Sequence, residues 1–428
     1  MLDLPRLQRL SLTARPLPQR ILGRALHANY VYLPGVDLNV EGRENMPDEP
    51  VIFAMNHTDR YNYWPWQYWI WKDSGRFTAA WVKGKYYESR LLALFMESML
   101  QLPTVSRGYL ITKDFQSVLQ RTPTDQEYTL LRDLVDRRAA GEEAPLPEPP
   151  EVPERLLRKP RSPLGLSFEP TERDYADYIC DLFSAMMARF VELNEEARDL
   201  GLDLLIFPQG TRSIRLLESH IGIAQIALHL RIPIVPVGCN GSERLYPGGS
   251  PFAKKASVTY RIGEPIHYED LSAFHVERAF APFSAEAEHD HAKQFRGIAA
   301  LVTDRIEALL DEPYRRAPAE PGETNVATSA AEALRSSRSS SVPSGWAVAR
   351  RIRPSLRRLP AQRSLLDASL LPLRARRGGV PGSCAGAYRL RSRPPSRRTR
   401  GRRPSPCECA QAGSAARRPS VGARSRHG

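Results

Sequence analysis

The sequence predicts an α/β fold, with a mostly parallel central sheet flanked by helices. Three observations predict it. Short apolar runs of strand length, at 51–55, 77–82, 203–207 and 232–237, alternate with stretches of helical periodicity. Polar clusters follow directly on several of these runs, and open α/β sheets place their sites beyond the carboxyl ends of strands. No internal repeat competes with this reading.

In chain order, residues 1–35 read as an amphipathic helical segment. Over 16–32, Leu17, Ile21, Leu22, Ala25, Leu26 and Tyr30 fall at helical spacing, with Arg20, Arg24 and His27 between them. Such a helix either packs on the core or lies in an anionic lipid surface. Residues 36–43 alternate as a strand does, and a turn at 45–50 leads into the run 51–55. That run ends in Asn56, His57, Thr58 and Asp59, before a helix whose first turn carries Arg60, Tyr61 and Asn62. Taken alone, His57 is either chemistry at a strand end or a surface histidine on a turn. Trp64, Trp66, Trp69, Trp71 and Trp81 suit either core packing or an interfacial belt or acyl-chain pocket, apolar on one side and wet on the other.

Beyond strand 77–82, residues 88–99 are helical, and a short strand precedes Val105, Ser106, Arg107 and Gly108. Residues 121–170 are rich in Pro and Glu (APLPEPPEVP at 144–153) and read as an extended, solvated insertion. Residues 171–201 form a long helix, with Thr171 as its expected N-cap. Strand 203–207 leads into the loop FPQGTRS (207–213). Helix 222–230, strand 232–237 interrupted by Pro233 and Pro236, strand 256–262 and a helix over 286–311 complete one domain, 36–316.

Composition changes sharply after that. Residues 317–428 hold 23 Arg, no Lys and five acids, a net of +18, so within a chain total of +13 residues 1–316 carry −5. The tail cannot bury enough apolar surface to offset the entropy of ordering, and it is expected to be disordered. Arg without Lys also has the character of GC-rich coding sequence read out of frame, set against a neutral extension or a polyanion-binding arm. A nucleic-acid partner would rest on the tail alone, so none is expected to be specific. Cys180 and Cys239 show no disulfide or metal spacing, which fits a reducing compartment. No apolar stretch approaches the roughly 20 residues of a spanning helix, and residues 1–15 lack a continuous apolar signal region. A membrane partner would therefore be met peripherally, on the cytoplasmic face.

Four blocks stand in order: Asn56–His57 with Asn62, Ser106–Arg107–Gly108, FPQGTRS, and IPIVPVG at 232–238. Over about residues 36–270 this set resembles the glycerolipid acyltransferases, the family of lysophosphatidic acid acyltransferase. The resemblance implies an acyltransferase of phospholipid biosynthesis that moves a fatty acyl group from acyl-CoA or acyl carrier protein to a hydroxyl of a lysophospholipid or glycerol phosphate-type lipid. It implies His57 as the base, Arg107 as a phosphate ligand, and Gln209, Gly210, Thr211 and Arg212 as the block that binds the acceptor head group. Pro236 would lie on the donor's side. A thioester is already activated, so no cofactor or metal is expected.

General chemistry agrees. A neutral imidazole can act as a base at pH 7. Arginines offer forked donors to phosphate, and a Gly–Thr step after a strand can present backbone N–H groups. The chain departs from the family pattern at Asn62, usually Asp, at Gln209, usually Glu, and more weakly at His220, often Lys. These changes keep hydrogen bonding but remove charge, which motivates a non-catalytic lipid or acyl-donor binding protein as the alternative. If His57 is a base, Asn62 must be turned oxygen-first by neighbours such as Arg60 or Tyr61, and Asn62→Asp is then expected to raise the rate.

Overall fold

A computed structural model of the chain describes residues 1–33, 35–143, 145–147 and 151–317. Residues 318–428, and with them the tail expected to be disordered, lie outside that description.

Seven strands form one sheet: β1 (Val36–Glu41), β2 (Ile52–Met55), β3 (Thr78–Lys83), β4 (Gln101–Thr104), β5 (Asp203–Ile206), β6 (Ile234–Asn240) and β7 (Ala256–Ile262). Their spatial order is β1-β7-β6-β2-β5-β3-β4. The five strands from β6 to β4 run parallel, β7 pairs antiparallel with β6, and β1 follows β7. The fold is thus α/β with a mostly parallel sheet. The central strands β2, β5 and β6 are buried at every position, which is why they read as unbroken apolar runs rather than alternations. Alternate residues face opposite layers: Ile52 and Ala54 join one core, Val51, Phe53 and Met55 the other. Pro236 sits inside β6, one residue before pairing with β7 begins, where the second ladder makes no demand on its missing N–H.

Helices α1 (Leu4–Arg9), α2 (Leu17–His27), α3 (Tyr63–Ser74), α4 (Arg90–Ser98), α5 (Arg107–Leu119), α6 (Asp125–Ala139), α7 (Glu154–Arg158), α8 (Tyr175–Asp199), α9 (Gly222–Leu230), α10 (Ser242–Leu245), α11 (Ala285–Asp290) and α12 (Ala292–Glu307) complete the described part. Helix α1 seats Leu4 and Leu7 in the larger core, and Leu2 before it joins them. Helix α2 buries Gly23 and Leu26 against α3; a Cβ at Gly23 would come within 2.6 Å of the Trp71 ring. Trp66 is fully buried and meets Phe53 edge-on at 5.1 Å, and the Trp81 indole N–H donates to Asn194 at 2.8 Å. For these two, core packing is the outcome.

Two sequence expectations change. The insertion 121–170 is not an extended loop. Helix α6 is closed by a capping box, Thr124 with Glu127, and buries Leu131, Leu134 and Val135. A second anchor is the buried pair Arg161–Asp114, at 2.6 Å, with the guanidinium 4.4 Å above the Phe168 ring. The long helix starts later than expected: Asp174, not Thr171, caps it, accepting from the Asp177 N–H at 2.9 Å. Its carboxylate accepts that N–H and, unlike a hydroxyl, carries a charge that complements the helix dipole.

Candidate active site

The carboxyl ends of β2, β5, β3 and β4 lie on one edge of the sheet, and the first three blocks follow from them. Past the end of β2, the Asn56 side chain continues the pairing to β6. Its Nδ2 donates to the Cys239 carbonyl at 3.0 Å, and its Oδ1 accepts the Cys239 N–H at 2.7 Å. This fixes the Asn56 backbone, whose carbonyl accepts Asn62 Nδ2 at 2.8 Å. Asn62 is fully buried, its own carbonyl accepts the Tyr260 hydroxyl at 2.6 Å, and its Oδ1 lies 3.0 Å from His57 Nδ1.

That network assigns the amide and the tautomer. A flipped Asn62 would set two oxygens face to face at Asn56. With the oxygen toward His57, Nδ1 carries the proton and Nε2 keeps its lone pair. The orienting neighbour is the Asn56 carbonyl, with Met55 Sδ at 3.9 Å, rather than Arg60 or Tyr61. Asn62 precedes α3 instead of lying in its first turn, and its side chain caps nothing there.

The loop after β5 clamps the histidine. The His57 ring stacks on Phe207 with centroids 4.1 Å apart. The Ser213 N–H donates to the His57 carbonyl at 2.9 Å, and the His57 N–H reaches Gln209 Oε1 at 3.4 Å. Gln209 is buried and donates from Nε2 to the Thr211 carbonyl at 2.8 Å, so it joins the two loops and does not line the cavity. Gly210 turns the loop at φ +65°, with His220 packed where a Cβ would stand, 2.8 Å away. The Gly210 and Thr211 amides do not await a phosphate. Gly210 N–H is spent on the Phe207 carbonyl at 2.9 Å and Thr211 N–H on the Gln209 carbonyl at 2.8 Å, because the turn that exposes Arg212 uses them itself.

A cavity of about 430 Å³ opens at the residue after His57, lined by Thr58, Asp59, Arg60, Thr211, Arg212, Glu243, Tyr246 and Gly248. Burial, opposed by the Asn62 hydrogen bond and reinforced by the charges of Arg212 and Lys83, pushes the His57 imidazole down to about 4. Lys83 closes β3 and was not singled out from sequence; its available signal was its place at the end of an apolar strand, as for His57 and Gly210. Arg107 is not brought into the cavity. It opens α5 beyond the edge strand β4, with its guanidinium 4.5 Å above the Phe183 ring, on the same rim but three strands from β2. Among the described residues no cluster of His, Cys, Asp and Glu could hold a metal ion.

No family model matches the chain. Over 89 residues it is 35% identical to a 1-acyl-sn-glycerol-3-phosphate acyltransferase from Cocos nucifera, a match covering 20% of this chain and 29% of that protein. The crystal structure of the 1-acyl-sn-glycerophosphate (LPA) acyltransferase PlsC from Thermotoga maritima aligns over 68% of this chain and 79% of its own, at 16% identity and a TM-score of 0.33. With the first three blocks following strands on one sheet edge, the fourth running into the adjacent β6, and a short stretch similar to a relative of that activity, the chain is lysophosphatidic acid acyltransferase-like, resembling the glycerolipid acyltransferases over less than a third of that relative's length.

Proposed function

We propose that the protein is an acyltransferase that esterifies a hydroxyl of a phosphate-bearing lysolipid from an acyl thioester, acyl-CoA or acyl carrier protein. The observation that carries this reading is the bond between His57 Nδ1 and Asn62 Oδ1, which leaves Nε2 unprotonated one residue from the wall, at Thr58, of a cavity that holds Arg212. In the reaction the acceptor hydroxyl gives its proton to Nε2 as its oxygen attacks the thioester carbonyl carbon. The C–S bond then breaks, and the departing sulfur takes the proton back from the imidazolium. Arg212 and Lys83 are the cations beside His57 placed to hold the phosphate, and Arg60 lines the same cavity as Arg212. A phosphate between them offsets the two charges that depress His57, so the imidazole is a stronger base in the complex than in the free chain. Arg107 would serve the rim at a greater distance.

No helix among the described residues is long and apolar enough to cross a membrane. The lipid would be met at the surface. Helix α4 exposes Leu91 (81%) and Leu94 (63%), and α2 exposes Leu17 and Ile21 (each 58%) beside Arg24. Gln19 of α2 donates to the Met99 carbonyl at 2.9 Å, just past α4, which ties α2 to the end of that helix. Peripheral binding on the cytoplasmic face is part of the proposal.

The test is thiol release from acyl-CoA on adding lysophospholipid, with His57→Ala as control. Release that depends on both acceptor and His57 supports transfer. Lipid binding without release from any donor or acceptor would favour the non-catalytic alternative.

A further inference from the structure

The cavity beside His57 carries charges of both signs, and on its acidic side one carboxylate lacks a cation and one carboxylate oxygen lacks a donor. On one side stand Arg60 and Arg212, neither in an ion pair among the described residues. On the other stand Asp59 and Glu243. Asp59 is only 8% exposed. Its carboxylate takes the Tyr61 N–H at 2.8 Å and the Thr58 hydroxyl at 3.0 Å, but no cation pairs with it among the described residues. Burial pushes its carboxyl up, and the neighbouring Glu243 adds to the shift. Glu243 Oε1 is occupied by the Tyr314 hydroxyl at 2.7 Å and Arg244 at 3.3 Å, while Glu243 Oε2 is buried with no donor at all. The fully buried Ser242 hydroxyl, beside Asp59, also lacks a well-aligned partner.

A buried carboxylate without its cation, and a buried carboxylate oxygen without a donor, both cost stability. The two open onto the same cavity, so one group arriving from solvent can satisfy both. It must be a cation and must bring N–H donors. The wall beside them is the Tyr246 ring, packed on Tyr61 at 5.3 Å and Trp64 at 6.4 Å, and aromatic faces attract ammonium. We propose that this cavity selects an acceptor whose phosphate is esterified to a primary amine, an ethanolamine-type head group, with the phosphate at Arg212 and Arg60 and the ammonium at Asp59 and Glu243. A trimethylammonium group has no N–H for Glu243 Oε2. A bare phosphate monoester would leave Asp59 without a cation and Glu243 Oε2 without a donor, and would bring a second negative charge towards them. The inference rests on the acyl-transfer reading only in calling this ligand the acceptor.

Binding can be tested apart from catalysis. The full chain is titrated calorimetrically with three soluble probes: sn-glycero-3-phosphoethanolamine, sn-glycero-3-phosphocholine and sn-glycerol 3-phosphate. The ethanolamine ester should bind best, by about tenfold, the factor that goes with one charged hydrogen bond. Asp59→Asn and Glu243→Gln should each collapse that preference towards unity. Glu243→Gln keeps the size of the side chain and an oxygen for Tyr314, so it remains informative should Asp59→Asn fail to fold. Glycerol 3-phosphate binding as well as the ethanolamine ester, or a preference that survives Glu243→Gln, overturns the proposal. Acyl transfer to lysophosphatidylethanolamine is then measured on the same protein. Preference without transfer keeps the ammonium subsite and removes the acyltransferase reading; transfer without preference does the reverse.

Discussion

Asn62 presents its oxygen to His57, at 3.0 Å from Nδ1, because its nitrogen is committed to the Asn56 carbonyl at 2.8 Å. An Asp at this position would keep the first bond and turn the second into a contact between two oxygens. It would also be a fully buried carboxylate, whose ionised form is disfavoured by desolvation. Asn62→Asp should therefore not speed transfer at pH 7, contrary to the expectation from sequence alone. Asn62→Ala, which frees the ring and the Asn56 carbonyl together, should slow it by about tenfold or more. Single-turnover acyl transfer decides. A faster Asn62→Asp enzyme would show that the loop reorganises around a carboxylate.

His57 itself sets the pH dependence. The imidazole is held down to about 4 in the free chain, so the base is already unprotonated at higher pH. The profile of kcat/KM should rise through about pH 4 and stay level to about 8, with no limb at the usual histidine value. The stability term has a definite sign. As pH falls, the unfolded chain takes up this proton near 6.5 and the folded chain only near 4, so the cost of His57 to stability is absent above 6.5, builds up between the two values and persists in full below them. His57→Gln should lower the rate by roughly 10²–10⁴ and flatten that part of the melting temperature against pH. A transfer limb near 6.5 would contradict the burial of the ring.

The two sequence-derived phosphate ligands should separate. Arg212→Ala should raise KM for a phosphate-bearing acceptor roughly ten- to a hundredfold, and Lys83→Ala by a similar order, with the donor KM little changed. Arg107→Ala should have the smaller effect, because its guanidinium rests on Phe183 across the rim. Equal losses at 107 and 212 would place the acceptor's phosphate nearer β4 than the cavity suggests.

These contrasts show what the sequence could reveal. His57, Arg107 and Arg212 were legible because each follows a strand end within a motif, and the parallel order of β2, β5, β3 and β4 puts all such ends on one edge. Distances along that edge were not legible, since strand order is a tertiary property. Lys83 stands nearer to His57 than Arg107 does in strand order, although only its place at the end of an apolar run, and no motif, marks it. The insertion was misread for a different reason. The Pro-rich run at 144–153 coloured the whole stretch, whereas Thr124-x-x-Glu127 ahead of Leu130, Leu131, Leu134 and Val135 is a helix start written in full. Gln209 and Asn62 looked like lost charges; each uses its NH₂ on a backbone carbonyl, a partner no sequence motif names.

The apolar surface of α4 carries the membrane prediction. Leu91→Ser with Leu94→Ser removes two of its most exposed apolar side chains without touching the buried Ala93 and Met96. Burying a leucine is worth roughly 1.5–3 kcal/mol, so the double variant should bind anionic vesicles at least about tenfold more weakly in sedimentation. Its melting temperature and its transfer to a micellar acceptor should hold. Unchanged vesicle binding would move the lipid contact to α2 alone.

The last prediction concerns the insertion. Arg161 is the group that fastens it: one edge of its guanidinium engages Asp114 of α5 bidentately, Nε at 2.9 Å and Nη2 at 2.6 Å, while its flat face lies on Phe168. Asp114 is fully buried, so Arg161→Ala would leave a carboxylate without its cation inside the larger core. Removing one partner of such a pair typically costs about 3–5 kcal/mol. The double variant Arg161→Met with Asp114→Leu removes both charges and keeps volume, so it should recover most of that loss. Thermal unfolding of the two variants measures the difference. If Arg161→Ala melts as the parent does, the insertion is not fastened here and the capping box of α6 must hold it alone. If Arg161→Ala loses stability but keeps its acyl-transfer rate at low temperature, the insertion supports the fold from outside the site.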